Sequence, residues 1–353
     1  MIEILLQHII NIVVYIAIFW LVSLALNLEY GFTGIPNLGL HLSVMGGAFT
    51  VAYLPGRLLM AIYLQDGWEY IQDNARIISL INQKLANDPI MATIIFLITL
   101  IVAIMVSIFL GLISVYPAVK LKAVYLMMTL IAMGEVLRTI GTYYTPLAGG
   151  PLGILVPNLL INWGRFRIIP ILLITITLTI LVEMILRSPF GRLIKAIREN
   201  EEAAESLGKD VKSVKMKVII LGSVLCSVAG FLYALDMGAV VASSYDRIVW
   251  TFWPWLMVMV GGLGNNLGCI TGTALIVTLR RILITYKHEF RSFLPFEVIW
   301  LESMLLAISL LIIMIFMPQG ILPERIKASH SRGLTDLLKS VREKRAENKF
   351  SKK

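Results

Sequence analysis

Long apolar runs separated by short polar stretches occupy most of this chain. The cleanest runs cover about residues 9–26, 90–115, 168–186, 214–235 and 298–317. Each is about as long as the roughly 20 apolar residues that cross a membrane as a helix. The pattern predicts an all-α polytopic membrane protein with roughly 8–10 transmembrane helices, which form a transmembrane permease domain over residues 1–322.

The apolar segment at about 35–54 is unusual because it carries several polar and small residues. Polar side chains at membrane depth face protein or water, so we expect this helix to lie inside the bundle near a pathway. Small residues four apart also let another backbone come close, and for the glycines this simple helix contact is the alternative. The candidate substrate-pathway residues are Asn37, Gly39, His41 and Ser43, with Gly149 and Gly150 from a later external loop.

Two polar connections are long enough to hold structure of their own. Residues 65–88 form an external amphipathic segment, predicted to be a helix lying on the bilayer or against the body of the protein. Contact with an external partner protein is the alternative. Residues 143–163 form a Gly- and Pro-rich external connection, and long ordered loops are often functional. The apolar residues that keep the helical period of the first segment are Ile71, Ile77, Ile78, Ile81 and Leu85.

Two acid–base pairs stand at helical spacing. Glu135 and Arg138 are three residues apart in the helix predicted to begin after Pro117, and Glu183 and Arg187 are four apart in the next one. Such spacings allow an ion pair on one helix face. For Glu135 and Arg138, a functional role at membrane depth is the alternative.

Small residues mark close helix packing in the second half of the chain. The helix predicted at 214–235 carries a continuous ridge of Ser223, Ser227, Gly230 and Ala234. Further on, a short apolar piece and a longer one are separated by glycines and asparagines at 261–266, which also fits a broken or re-entrant segment. The candidate helix-packing residues are Gly230 and the doubled G-x-x-x-G of Gly264, Gly268 and Gly272.

One charged segment, residues 188–210, interrupts the apolar second half. Ser188 followed by Pro189 is a helix-start signal, and Asn200 can cap a second short helix with acidic residues in its first turn. Gly208 is suited to end that helix in a left-handed conformation. The segment predicts a short helical hairpin on a membrane face, of the kind a membrane protein presents to a partner.

Composition and charge fix the class and the orientation. The chain is 58% hydrophobic and only 15% charged, whereas soluble domains have roughly a quarter charged residues. Residues 317–353 hold ten Lys and Arg against four Asp and Glu. The positive-inside rule therefore predicts that the hairpin and the basic tail at 323–353 are cytoplasmic. We expect the tail to favour anionic lipid over nucleic acid. Against the rule, this orientation places outside the bases Arg280, Arg281, Lys287 and Arg291.

Motifs for chemistry within the chain are missing. The sequence has no G-x-x-x-x-G-K-[ST] loop for ATP phosphates, its four histidines are scattered, and Cys226 and Cys269 lie inside apolar runs. We therefore expect no metal site, no cofactor and no enzymatic active site in this chain. From the residues alone, it is a polytopic transporter or channel subunit that receives energy from another protein.

The hairpin sequence SPFGRLIKAIRENEEAAESLGKDVKSVK closely resembles the cytoplasmic loop of a known family, the permeases of ABC importers for branched-chain amino acids. This is the hydrophobic amino acid uptake family, and the resemblance implies a type II ABC importer-like bundle. It covers most of residues 120–322, is weaker before Val119 and is absent from the tail. The other matching stretches are LKAVYLMMTLIAMGEVLR, LAGGPLGI, VAGFLYAL, MVMVGGLGNNLGCITGTAL and MPQGIL.

The resemblance implies the permease subunit of an importer for branched-chain or other small hydrophobic amino acids. It would be a multi-pass protein of the cell (plasma or inner) membrane with a cytoplasmic C-terminus. The implied partners are two ATPase subunits that bind ATP and Mg, a second homologous but non-identical permease, an external solute-binding protein and membrane lipid. The residues implied to couple to the ATPase are Gly191, Arg192, Ile194, Ala196, Ile197, Arg198, Asn200, Glu201, Ala203, Ala204, Leu207 and Gly208.

The segment NLGLHLSVMGG departs from the family pattern, which leaves the substrate open. Related permeases carry urea or short amides, and more distant ones carry sugars. A self-sufficient secondary transporter or membrane enzyme is the alternative of a different class. An inverted internal repeat would favour a secondary transporter, and none is visible in the sequence.

Overall fold

The described residues of the computed structural model are 2–64, 69–285, 304, 307–309, 311–312, 315–317 and 319–324. Within them, seven helices are long and apolar enough to cross a membrane, which confirms the predicted all-α polytopic fold. The predicted last span at 298–317 and the basic tail fall largely outside the described residues, and Lys287 and Arg291 fall wholly outside them. The division of the chain near residue 322 therefore stays a prediction.

The described part of the chain contains seven long helices and five shorter ones. The long helices are α1 (Ile2–Leu26), α2 (Leu40–Tyr63), α4 (Pro89–Lys120), α5 (Ala123–Tyr143), α7 (Ile168–Arg187), α10 (Val211–Met237) and α12 (Asn266–Thr285). The shorter helices are α3 (Asn74–Asn87), α6 (Thr145–Ala148), α8 (Pro189–Glu199), α9 (Glu201–Ser206) and α11 (Trp253–Gly261). Two short strands, β1 (Ile154–Leu155) and β2 (Ala239–Val240), pair in an antiparallel arrangement.

The long helices run between two ends of the bundle, the hairpin end with α8 and α9 and the loop end with α6 and the two strands. Arg198 of α8 donates a hydrogen bond to the carbonyl of Gly31, just beyond α1. Arg281, near the end of α12, lies over the ring of Tyr15, whose hydroxyl contacts Met237 at the loop end of α10. Arg280 and Arg281 therefore lie at the end opposite the hairpin, as the predicted topology requires.

The centre of the bundle is α10, whose membrane-spanning window is 78% buried. A Cβ atom at Gly230 would overlap the carbonyl of Val44 on α2, and one at Gly47 of α2 would overlap the carbonyl of Ser227. The Ser227 hydroxyl donates to the carbonyl of Ala103 on α4 at 3.0 Å. The predicted ridge of small residues on α10 is thus the seam of a three-helix core, where missing side chains let backbones meet.

The predicted amphipathic segment contains helix α3, which packs against the body of the protein. Its buried side chains are Ile77, Ile78, Ile81 and Leu85, whereas Ile71 precedes the helix and is 37% exposed. The Asn74 side chain donates to the carbonyl of Leu155 at 3.2 Å and accepts from its N–H at 2.8 Å. These bonds fix β1 against α3, so the polar connection is part of the folded loop end.

Two helix boundaries differ from the sequence prediction, and a proline is involved in each. The helix that begins at 90 does not stop before Pro117, because this proline lies in the last turn of α4, where few backbone bonds remain to be lost. The helix predicted to start near 35 begins at Leu40. Pro36 disfavours helical geometry in the residue before it. The Asn37 side chain then accepts from Gly39 N–H at 2.7 Å, so Asn37 precedes the helix and Gly39 is its cap.

The predicted break near 261–266 separates α11 from α12. Gly262 and Gly264 have φ angles of 116° and 73° there, which favour glycine. Gly268 and Gly272 lie on α12 against the backbone of α11, whereas Gly264 lies in the turn before α12, contrary to its predicted place on one helical face. The last carbonyls of α11 accept hydrogen bonds from Ile321 and Leu322, at 2.8 and 2.9 Å.

The close packing of α10 against α2 predicts that one added carbon lowers stability at a buried position and not at an exposed one. Gly230→Ala places a Cβ against the Val44 carbonyl, and such overpacking costs about 1–3 kcal/mol of unfolding free energy. Val124→Ile also adds one carbon but on the exposed side of α5. We expect only the first to lower stability in detergent unfolding. Equal stability of the two variants would contradict the close approach of α10 and α2.

Candidate functional site

The hairpin at 188–210 has the helix caps that its sequence predicts. The Ser188 hydroxyl accepts from Phe190 N–H at 3.2 Å, and the Asn200 side chain accepts from Ala203 N–H at 2.9 Å. Gly208 has a φ angle of 73°, just beyond the end of α9. These caps satisfy N–H groups that have no partner inside a helix. The hairpin is therefore a defined structure at one end of the bundle.

The predicted coupling residues divide into a face that holds the hairpin and a face that is open. The inward face packs against an apolar cluster formed with Leu28, Phe32 and Val214, and Arg198 is half-buried beside it. The inward residues are Gly191, Ile194, Ile197 and Ala204. The exposed residues are Arg192, Ala196, Asn200, Glu201, Ala203, Leu207 and Gly208. Only the second group is available to another protein in this structure.

Cationic side chains tie the hairpin to the end of α1 and to α10. Arg198 donates to the Gly31 carbonyl, and the ammonium of Lys195 lies 5.1 Å from the ring centroid of Phe32. Lys215 at the start of α10 pairs with Glu201 of α9, at 2.6 Å between Nζ and Oε1. Hydrogen bonds to charged donors are stronger than neutral ones. The hairpin is thus anchored both before and after its own segment.

The residues that Arg198 reaches belong to a π-helical turn, Asn27–Gly31, that continues α1. Glu29 in this turn is fully buried, and its Oε2 accepts from the Asn37 side chain at 2.8 Å. In the described part of the chain its Oε1 has no hydrogen-bond partner, and this atom lies against Gly222 of α10, where a Cβ would overlap it. π-turns inside helices often mark functional sites. A carboxyl group buried at this depth is a functional candidate.

A second chain of polar contacts joins the π-turn to the break between α11 and α12. Asn27 Oδ1 accepts from Gly264 N–H at 2.9 Å, and Asn27 Nδ2 donates to Asn266 Oδ1 at 3.0 Å. Asn266 then donates to Glu183 of α7 at 2.8 Å. Glu183 also pairs with Arg187 at 2.8 Å, as its spacing predicts. This series of hydrogen bonds therefore ends at Glu183, in the last turns of α7, and the hairpin follows α7 directly in the sequence.

His41 and Ser43 lie on α2 inside the bundle, as predicted for pathway residues. The Nδ1 atom of His41 lies 3.2 Å from the hydroxyl of Thr251, whereas its Nε2 has no hydrogen-bond partner among the residues that the structure describes. The imidazole fits against Gly134 of α5, which has no side chain to displace it. Gly39 likewise lies against the backbone of Leu130 on α5. Gly39 and His41 therefore line the contact between α2 and α5.

The remaining pathway candidates, Gly149 and Gly150, lie away from the contact between α2 and α5. They follow α5 in the loop end and have φ angles of 76° and 73°. A Cβ at Gly149 would overlap the carbonyl of Gly153, so the glycine is needed for the local turn. The structure thus places Gly39 and His41 against α5, Asn37 beside Glu29 and Ser43 inside the bundle, whereas the last two candidates form a turn at the loop end.

The Glu135–Arg138 ion pair lies on the partly exposed side of α5. The Arg138 Nε to Glu135 Oε2 distance is 2.7 Å, which confirms the predicted pairing. Arg247, from the loop after β2, approaches the other Glu135 oxygen at 3.9 Å. The side chains of Glu135 and Arg138 are 26% and 34% exposed. The cluster of Glu135, Arg138 and Arg247 is therefore partly exposed on the surface of α5.

The sequence reading missed Asn27, Glu29 and Asn266, because the stretch after residue 26 looked like a simple break. A glutamate within a segment otherwise long enough to span the membrane was the signal that could have identified Glu29. Among the described residues, no group of three or more His, Cys, Asp or Glu side chains could hold a metal ion.

Comparison with known proteins identifies the family. A family model described as the permease component of the branched-chain amino acid transport system matches residues 8–316. The probable branched-chain amino acid transport permease protein LivM of Methanocaldococcus jannaschii is 36% identical over 321 residues, covering 89% of this chain and 93% of that protein. No solved structure matches the chain.

A more distant bacterial relative carries a similar name. The high-affinity branched-chain amino acid transport system permease protein LivM of Escherichia coli is 26% identical over 237 residues, which cover 59% of this chain and 53% of that protein. The family model alone spans most of this chain. The chain therefore belongs to the family of permease components of branched-chain amino acid transport systems.

Proposed function

We propose that this chain is the membrane-spanning permease subunit of an ABC importer that moves branched-chain or other small hydrophobic amino acids. The observation that carries the proposal is the capped hairpin, whose outer face is exposed and whose inner face packs on the apolar cluster with Leu28 and Val214, while Arg198 bonds to the end of the turn that continues α1. A chain without a nucleotide-binding motif needs such an element to receive the free energy of ATP hydrolysis from a partner subunit. The permease itself is non-catalytic, and ATP and Mg bind to the partner ATPase.

The exposed side of the hairpin is the proposed docking surface for the ATPase. It combines an exposed leucine, Leu207, with small and charged residues of α8 and α9. An apolar anchor surrounded by polar side chains is typical of a protein interface. One ATPase subunit would bind each permease of a pair. By the positive-inside rule, this end and the basic tail are cytoplasmic, so the loop end faces the solute-binding protein.

The second permease is proposed to cover α5. Only 17% of the spanning window of α5 is buried within this chain, yet α5 carries the partly exposed Glu135 and Arg138. An unshielded charge at the centre of a membrane helix costs about 2.5–3.5 kcal/mol on insertion scales. A homologous chain and a water-filled pathway on this side would remove that cost. His41 lies on the adjacent helix, against Gly134.

Reconstitution of the chain with its partner permease, two ATPases and solute-binding protein tests the function directly. We expect ATP-dependent uptake of leucine, isoleucine and valine into proteoliposomes, since the family relatives are named for this transport. Uptake of urea, short amides or sugars instead would reassign the substrate. Uptake by the chain alone, without ATPase, would refute the importer proposal.

The docking surface predicts that substitutions on the outer hairpin face uncouple the ATPase. Ala203→Arg and Leu207→Asp should each weaken ATPase association about tenfold or more, because they place a charge in a buried interface. ATPase copurification and ATP-driven uptake measure the effect. Gln72→Arg, at an exposed position of the loop end, is the matched control for ATPase association and should retain normal copurification. Normal copurification of the hairpin variants would contradict the docking surface.

The bond from Arg198 to Gly31 predicts a different defect, in which the ATPase still binds. Arg198→Gln removes a charge-assisted hydrogen bond worth about 1.5–3 kcal/mol, so the amount of leucine transported per ATP hydrolysed should fall about tenfold. Parallel uptake and phosphate-release assays give this ratio. Lys212→Gln, at an exposed site on α10, serves as the control. An unchanged ratio in the Arg198 variant would exclude this connection from coupling.

A further inference from the structure

A cavity of about 310 Å³ lies at the loop end, far from the hairpin. It is bounded by side chains of α1, α10 and α12 and by the loop between β2 and α11. Small-molecule sites begin at about 300 Å³, so the cavity has room for one small metabolite. None of the pathway residues predicted from the sequence lines it.

One side of the cavity is basic. The guanidinium carbon of Arg281 lies 3.2 Å from the ring centroid of Tyr15, and its buried Nε has no hydrogen-bond partner among the described residues. Arg280 lies over Trp253 at 5.1 Å. Guanidinium groups held on aromatic faces lose little freedom when they bind, and their planar donors match a carboxylate. This side of the cavity is therefore prepared for a carboxylate.

The facing loop supplies one carboxylate of its own. Asp246 Oδ1 accepts from Val249 N–H at 2.7 Å, and in the described part of the chain Oδ2 makes no hydrogen bond. The loop is held in place because the Trp250 indole N–H donates to the carbonyl of Ser244 at 3.2 Å. A fixed carboxylate with a free oxygen is a partner for a primary ammonium group. The cavity thus presents both signs of charge to one occupant.

We propose that this cavity binds a neutral amino acid as a zwitterion on the permease itself. The carboxylate pairs with Arg281, the ammonium pairs with Asp246, and the apolar side chain lies against Val249, Val277 and Ile284. The inference rests on the proposed import function and extends it, because the permease then selects the substrate class after the solute-binding protein has released it.

The mixed charge of the site separates a zwitterion from simpler occupants. An inorganic anion would pair with the arginines but would meet the like charge of Asp246. A cation would face two guanidinium groups. An acidic side chain of a docking protein would likewise leave Asp246 without a counter-charge. A ligand with both groups a few bonds apart offers a counter-charge to Arg281 and to Asp246, which both line the cavity.

Direct binding of radiolabelled leucine to the full-length permease in lipid nanodiscs, without solute-binding protein, tests the proposal. We expect unlabelled leucine to displace the label. Leucinamide lacks the carboxylate and N-acetyl-leucine lacks the ammonium, so each should compete at least about tenfold more weakly. Displacement by either analogue as effectively as by leucine would overturn the zwitterion assignment.

Matched variants test the two charged partners. Arg281→Gln and Asp246→Asn should each weaken leucine binding about tenfold or more. Asn can still accept from Val249 N–H, so the loop should keep its shape. Asp73→Asn and Lys84→Gln remove one charge each elsewhere at the loop end and should bind leucine normally. Unchanged leucine binding in both cavity variants would overturn the proposal.

Two further outcomes separate this inference from the proposed function. If the reconstituted transporter imports leucine with ATP but the permease alone binds none, the cavity proposal fails and the importer proposal stands. If ATP-driven uptake is absent but leucine binds and both variants lose it, the cavity proposal stands alone. Loss of solute-binding-protein association, with leucine binding unchanged, would assign Arg281 to docking and overturn the cavity proposal.

Discussion

Backbone groups inside a membrane need hydrogen-bond partners within the protein, and at the hairpin end the side chain of Asn27 is the partner of one of them. Both the π-turn of α1 and the break before α12 leave backbone groups outside regular helix bonding. Asn27 accepts from Gly264 N–H in the break and donates to Asn266 at the start of α12. One side chain therefore holds two irregular segments together. Without this bond, Gly264 N–H would lose its partner in a dry environment, which is costly.

The same contacts connect the hairpin to the interior. Arg198 is bonded to the carbonyl at the end of the π-turn, and Glu183, on the last turns of α7, is bonded to Asn266. The hairpin therefore contacts the two irregular segments by two separate routes, one through α8 and one through α7. Glu29 lies in the same π-turn, and within the described ranges its Oε1 accepts no hydrogen bond. A displacement of the hairpin would change the surroundings of this buried carboxyl group.

Local signals in the sequence were sufficient to predict the apolar helices among the described residues, the hairpin caps and the ion pairs. Ser188, Asn200 and Gly208 act within a few residues of themselves, so their roles follow from spacing alone. The role of Glu29 does not, because its π-turn is completed by Asn37 and by the space that Gly222 leaves in a distant helix. Gly264 was placed on a helical face for the same reason, since its bond to Asn27 is not a local feature. For Glu29 and Gly264, contacts with residues distant in the sequence therefore decided the difference from the prediction.

The distribution of close contacts also indicates which parts of the bundle can move in a transport cycle. The seam between α10, α2 and α4 joins backbones directly through Gly47, Ser227 and Gly230, and such packing resists gradual deformation. In contrast, the spanning windows of α5 and α7 are each only 17% buried. Ser188 alone separates α7 from α8. A Cβ at Gly191 would overlap the carbonyl of Leu186, and this close contact fixes the angle between the two helices. Under the proposed function, α7 and the hairpin therefore shift as one unit against a rigid core.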